Sequence, residues 1–143
     1  MVSGGTPVVS VRKMHQEEAA EVRKIGQGAG ELGAPLVKAS STAPHSVRVV
    51  HIGHEVLGAF ILNELEGGVE EVEALTLNDE GRKTGAERTV IDYVVSAARF
   101  ARKKAVEVVA PPGTEEARHL EALGFAGKGA AGLRRRYRLD LKK

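Results

Sequence analysis

Hydrophobic positions recur at helical spacing over residues 88–103. Val90, Val94, Ala97 and Ala101 make one stripe, Ile91, Val95 and Ala98 lie beside it, and Arg99, Arg102 and Lys103 are left for water. The spacing predicts a long helix. Another is predicted to start at Thr114 as N-cap, with Glu115 and Glu116 in its first turn, Ala117, Leu120 and Leu123 as its buried stripe and Gly124 as its end. Residues 15–25 place Glu17, Glu18 and Glu21 ahead of Arg23 and Lys24, the order a helix dipole prefers. Elsewhere the period is two. Residues 7–13 read as a strand with Val9 and Val11 on one side and Val8 and Ser10 on the other. Residues 47–52, 55–65 and 69–77 form an antiparallel meander through the turns Gly53-His54 and Glu66-Gly67-Gly68. Residues 105–110 make a short strand stopped by Pro111-Pro112-Gly113. Residues 133–141 alternate Leu133, Arg135, Tyr137, Leu139 and Leu141 against Arg134, Arg136, Arg138 and Asp140, so the last strand has one wet face.

Between these patterned stretches, residues 26–46 carry Gly26, Gly28, Gly30, Gly33, Pro35 and Pro44 with Ser40, Ser41 and Thr42. They read as a mobile loop with one short helix around Leu36. The whole is an α/β pattern without internal repeats. At 143 residues it makes a single domain, 1–143, because the part before the loop is too small for its own core.

Composition removes much chemistry. With no cysteine there are no disulfides, thiolate metal sites or cysteine nucleophiles. The five histidines show no metal-ligand spacing, so no metal is expected, and Ser40, Ser41 and Ser46 near His45 lack a nucleophile elbow. The longest apolar run, residues 56–62, is far short of a membrane span, and no secretory leader pattern opens the chain; a cytoplasmic protein is the expectation. Amides are confined to Gln16, Gln27, Asn63 and Asn78, a depletion that thermophiles share and that a GC-rich genome also produces. The net charge is only +2, but Arg134, Arg135, Arg136, Arg138, Lys142 and Lys143 crowd the last ten residues, while acid concentrates between Glu64 and Glu73. With 3% aromatic residues a base-stacking surface is poorly supplied, so the arginines read as a solvated strand face and no nucleic-acid partner is expected.

The richest constellation is a strand, then Asn78-Asp79-Glu80-Gly81, then Arg82-Lys83-Thr84-Gly85-Ala86, then the long helix. A basic, glycine-containing turn feeding a helix N-terminus binds anions, because free N–H groups converge there, and Gly85 removes the Cβ a phosphate would meet. The lysine-serine ending of a P-loop and the three glycines of a dinucleotide fingerprint are both missing.

With Leu77 four residues before Gly81, Arg82-Lys83-Thr84-Gly85 opening the helix, and Leu120 to Leu123-Gly124-Phe125 after the next strand, the chain resembles the GNAT superfamily of acyl-CoA-dependent N-acetyltransferases. The resemblance implies a mixed, mainly antiparallel sheet of six or seven strands with helices on both faces. It also implies transfer of an acetyl group from acetyl-CoA to a primary amine, small-molecule or peptide, by direct attack. Carried over residue by residue, Arg82, Lys83, Thr84, Gly85 and Ala86 would hold the pyrophosphate, and the backbone at Leu75 and Leu77 the pantetheine arm. Two positions depart from the pattern: Glu87 replaces a glycine or alanine, and Leu120 stands where a proton-donating tyrosine is common. The implied general base is Glu71 or Glu73, placed two apart on one face of the strand together with Leu75 and Leu77; solvated strand ends are the plainer alternative. Tyr137 is left as candidate acid, with core packing as its alternative. A domain of this fold without catalysis, serving ligand binding or assembly, and a homodimer are also compatible with these residues.

Overall fold

The computed structural model describes residues 8–141. The strand predicted over 7–13 begins at Ser10, and Pro7, like Lys142 and Lys143 of the basic tail, lies outside the described residues. Seven strands form one sheet in the order β1-β2-β3-β4-β5-β7-β6: β1 Ser10–Lys13, β2 Val47–Ile52, β3 Glu55–Leu65, β4 Val69–Leu77, β5 Ala105–Ala110, β6 Ala126–Ala131 and β7 Arg134–Asp140. Every pairing is antiparallel except β4 with β5. A parallel pair needs a long crossover, and residues 78–104 supply it with α3 (Asp79–Lys83) and α4 (Ala86–Phe100). The mixed, mainly antiparallel sheet with helices on both faces is therefore the architecture found.

Two cores share the sheet. On one face α4 and α5 (Glu115–Ala122) bring Val90, Ile91, Val94, Ala98, Ala117 and Leu120 against Leu57, Phe60, Val72, Val106, Val108 and Tyr137. On the other, α1 (Ala19–Gly28) and α2 (Ala34–Thr42) bring Val22, Leu36 and Ala39 against Val47, Val49, Val56, Ala59, Ile61 and Ala74. Arg12 of β1 grips Glu18 with two N–H groups at 2.6 Å, which holds that carboxyl down at about 2 and ties the sheet edge to the start of α1.

Residues 26–46 correct the loop expectation: α1 runs on to Gly28, a 3-10 turn covers Gly30–Gly33, α2 follows and Pro44–Ser46 makes another turn. The glycines serve contact. A Cβ on Gly33 would stand 1.9 Å from the Gly26 carbonyl oxygen, and one on Gly26 would stand 2.9 Å from Val37 Cγ2, so two backbones meet where side chains cannot fit.

The final strands differ in the same instructive way. β6, an alanine-glycine run with no alternation, was not predicted, and it covers the edge of β7. The expected division of β7 into an inner and a wet row holds inward for the buried Tyr137 only in part: Leu133 is 63% exposed and Arg135 is exposed. The supposed wet row carries ion pairs instead. In register, Asn63, Glu71, Glu107 and Arg138 stand side by side on β3, β4, β5 and β7. Two adjacent carboxylates would repel. Arg136 bridges them, donating from Nη1 to Glu71 and at 3.1 Å to Glu107, while Arg138 donates to Glu107 at 3.0 Å and to Asp140 at 2.8 Å.

Candidate active site in the split between β4 and β5

The parallel ladder of β4 and β5 runs from Val69 opposite Ala105 to Val72 opposite Val108 and then stops. Two local features part the strands. On β4 the register against β3 slips between Ala59 and Ile61, Ala74 takes a left-handed φ of 59°, and the Thr76 hydroxyl donates to the Ala74 carbonyl at 2.9 Å, fixing a bulge. On β5, Pro111 and Pro112 end the strand with residues that cannot donate to a ladder. The split opens a cleft of about 360 Å³. Its β4 wall is Ala74 to Leu77 and its β5 wall Val109 and Pro111; Thr114, Glu115 and Glu116 close it from α5, Glu87 from α4, Arg82 from α3, and Arg134 with Ala29 and Leu32 from across the sheet. A second hollow of about 460 Å³ adjoins it along α1, sharing Ala29, Thr76, Leu77 and Arg82.

The bulge also corrects the expectation that Glu71, Glu73, Leu75 and Leu77 share a face. Leu75 and Leu77 pack toward the α4/α5 core, while Ala74 belongs to the α1/α2 core, because one extra residue reverses the alternation. Both leucines line the cleft, and Glu71 and Glu73 do not. Glu71, 8% exposed, accepts from Arg136 and from Asn63 Nδ2 at 2.9 Å, and so is committed to the ion-pair row. Glu73 is half-buried beside the bulge, with Asn63 Nδ2 at 3.4 Å. Tyr137 is 1% exposed in the core, opposite Val108, outside the cleft lining.

The Arg82–Ala86 segment is not a free turn. Asn78 caps α3, accepting from Gly81 N–H at 2.8 Å and donating to the Val56 carbonyl at 2.9 Å. Gly81 lets α3 rest on β3, where a Cβ would come within 2.7 Å of the Leu57 carbonyl oxygen. Arg82 folds back on the Leu77 carbonyl and Asp79, Thr84 donates to the Gly81 carbonyl at 3.0 Å, Lys83 is exposed and Ala86 is buried. Gly85, at φ 68°, separates α3 from α4, and the space where its Cβ would point is open.

Glu116 is the site residue that sequence reading passed over. Its Oε2 is buried and has no hydrogen-bond partner among the described residues. Burial pushes its carboxyl up to about 8, the Glu87 carboxylate adds to the rise, and Arg134 opposes it. Arg134 does not pair with it; its Nη2 donates to the Leu32 carbonyl. An acid in a first helical turn reads as a partner of the helix dipole. The contrary signal was its place four residues before Leu120, on the stripe that also holds Ala117. Among the described residues, no three His, Asp or Glu side chains converge as a metal-binding group, and no helix is long and apolar enough to cross a membrane.

No family model matches the chain, and no curated protein matches it in sequence. Solved structures match it closely in shape. A GNAT-family acetyltransferase from Staphylococcus aureus Mu50 superposes with a TM-score of 0.74 at 11% identity, over 94% of this chain and 100% of that one. Ard1 from Thermoplasma volcanium gives 0.72 at 14% identity over 94% and 99%. N-acetylglutamate synthase from Neisseria gonorrhoeae, solved with coenzyme A and N-acetyl-glutamate, gives 0.73 at 12% identity; 97% of this chain matches, spanning 36% of that protein. The chain has the GNAT acetyltransferase fold.

Proposed function

We propose that the protein transfers an acetyl group from acetyl-CoA to a primary amine by direct attack of the amine on the thioester. The observation that carries this is the split itself: β4 residues 73–77 have no ladder partner on β5, and Ala74 to Leu77 among them line a cleft that reaches Glu87 at the opening of α4. An extended amide-bearing arm such as pantetheine pairs with a free strand edge. The open space and left-handed backbone at Gly85 support a diphosphate there, close to the N-terminus of α4. In this reading Leu75 and Leu77 flank the arm, and Arg82, Lys83, Thr84, Gly85 and Ala86 border the diphosphate, which the Arg82 and Lys83 side chains and the Ala86 N–H at the start of α4 hold; the N–H groups of Arg82, Thr84 and Gly85 are already donated to the Asn78, Glu80 and Arg82 carbonyls. Arg82 turns out from Leu77 and Asp79 to do so. Neither Glu71 nor Glu73 lines the cleft itself; Glu73, half-buried at the bulge next to the cleft residue Ala74, serves as base for the ammonium, since Glu71 is engaged by Arg136, and Tyr137 is assigned to packing. The coenzyme A bound to the gonococcal synthase fits the same reading.

Calorimetry and thermal shift test it. Acetyl-CoA at about 100 times its dissociation constant is expected to stabilise the fold by roughly 2.7 kcal/mol. Gly85→Glu is expected to abolish binding and Gly85→Ala to retain most of it, which separates charge from backbone strain. Absence of binding at millimolar acetyl-CoA would overturn the proposal. Glu87 supports a second reading, a domain that binds ligand without catalysis, because its carboxylate lines the cleft where a diphosphate would approach. Glu87→Gly is expected to tighten binding, and binding without turnover across a panel of primary amines would favour the second reading.

A further inference from the structure

We propose that Glu116 is the acid that protonates the departing thiolate, an assignment that rests on the acyl-CoA reading above. Its place carries the argument. Glu116, in the first turn of α5, lines the same cleft as the unpaired β4 residues Ala74 to Leu77, and its Oε2 is enclosed without any hydrogen-bond partner among the described residues. One turn further along α5, Leu120 is fully buried and carries no proton to give. The charged groups around the carboxyl are Glu87 from α4, Arg134 from β7, Arg82 from α3 and Glu115 on its own helix. Arg134, the cation that acts on it, is held at the Leu32 carbonyl. Burial and Glu87 therefore keep Glu116 protonated at neutral pH, and its proton is matched to an alkyl thiolate, whose conjugate thiol ionises at about 8.5.

The step balances. Glu73 takes one proton from the ammonium, the freed lone pair forms the C–N bond, and the C–S bond breaks with its electron pair on sulfur. Glu116 gives its proton to that sulfur. The second nitrogen proton leaves to solvent, Glu73 releases to solvent the proton it took, and Glu116 is reprotonated from solvent before the next turnover.

The test compares leaving groups in Glu116→Gln, a substitution of nearly equal volume. With acetyl-CoA, and with the acetyl thioester of N-acetylcysteamine, kcat is expected to fall about 10²-fold. With the acetyl thioester of thiophenol the loss is expected to shrink below about 5-fold, because an aryl thiolate departs without protonation. Wild-type kcat is expected to decline as pH rises through about 8, and the variant to lose that limb. An unshifted CoA dissociation constant and an unweakened thermal transition establish that the variant is folded. Equal losses with all three donors, or no loss, overturn the assignment while leaving the acyltransferase reading intact. A wild-type protein that neither binds nor turns over acetyl-CoA overturns both.

Discussion

Two groups of carboxylates lie on either side of the point where β4 and β5 part, and they are treated in opposite ways. Where the strands are still paired, Glu71 and Glu107 stand next to each other, and Arg136 and Arg138 give them four N–H contacts counting Asp140. Where the strands have parted, Glu87 and Glu116 both line the cleft, and Arg134, on the same lining, is turned to a backbone carbonyl. The first arrangement satisfies buried charge and joins three strands. The second leaves a carboxyl that can avoid the cost of burial only by keeping its proton. Identical side chains thus become a structural tie in one place and a proton reservoir in the other, according to whether a guanidinium is within reach.

Breaking the paired cluster is the largest expected effect. Arg136→Ala leaves Glu71 and Glu107, 8% and 9% exposed, short of their shared cation, and is expected to cost about 3 to 5 kcal/mol in denaturant unfolding at pH 7. A loss below about 1 kcal/mol would reduce the row to surface decoration. Glu116→Gln is expected to act with the opposite sign. From its ordinary value of 4.5 up to about 8 the folded protein holds a proton that the unfolded chain has released, so wild-type stability falls as pH rises through that window. Glutamine does not ionise. The variant should gain on the order of 3 kcal/mol over wild type near pH 8 and nothing near pH 4; a gain independent of pH would contradict the buried-acid picture. The smallest effect is expected of Arg134→Gln, within about 1 kcal/mol in stability. Removing that positive charge should move the Glu116 titration upward, followed by carbon-13 NMR of the carboxyl, and an unmoved titration would mean that Arg134 does not act on it.

The sequence carried the fold further than the site. Regular periods exposed α4, α5 and the strands β2 to β5 because each has one apolar face to bury. The period failed where packing depended on what a residue lacks: Gly26 and Gly33 mark two touching backbones, and the alanines and glycines of β6 have no alternating face to show. The mainly antiparallel topology came through the family resemblance, since strand order has no local signature. Leu75 and Leu77, which line the cleft, entered through the family resemblance, and Gly85 through the glycine-containing turn before a helix start. Glu71 and Glu73 were assigned to the wrong side of the leucines, because a bulge at an ordinary alanine with φ 59° leaves no mark in the pattern. Glu116 was hidden by a second, sufficient explanation for an acid at a helix start. The arginines of β7 looked solvated because their carboxylate partners lie 31 and 65 residues away along the chain.

The contact between Gly26 and Gly33 bears on how this protein can diversify. The neighbouring Ala29 and Leu32 line the cleft that an acceptor would enter under the acyltransferase reading. With a Cβ at Gly33 placed 1.9 Å from the Gly26 carbonyl oxygen, no other amino acid fits there without prying the helices apart. Selection for new acceptors, natural or in a laboratory library, is thereby channelled into side-chain changes at Ala29 and Leu32 on a backbone that stays put.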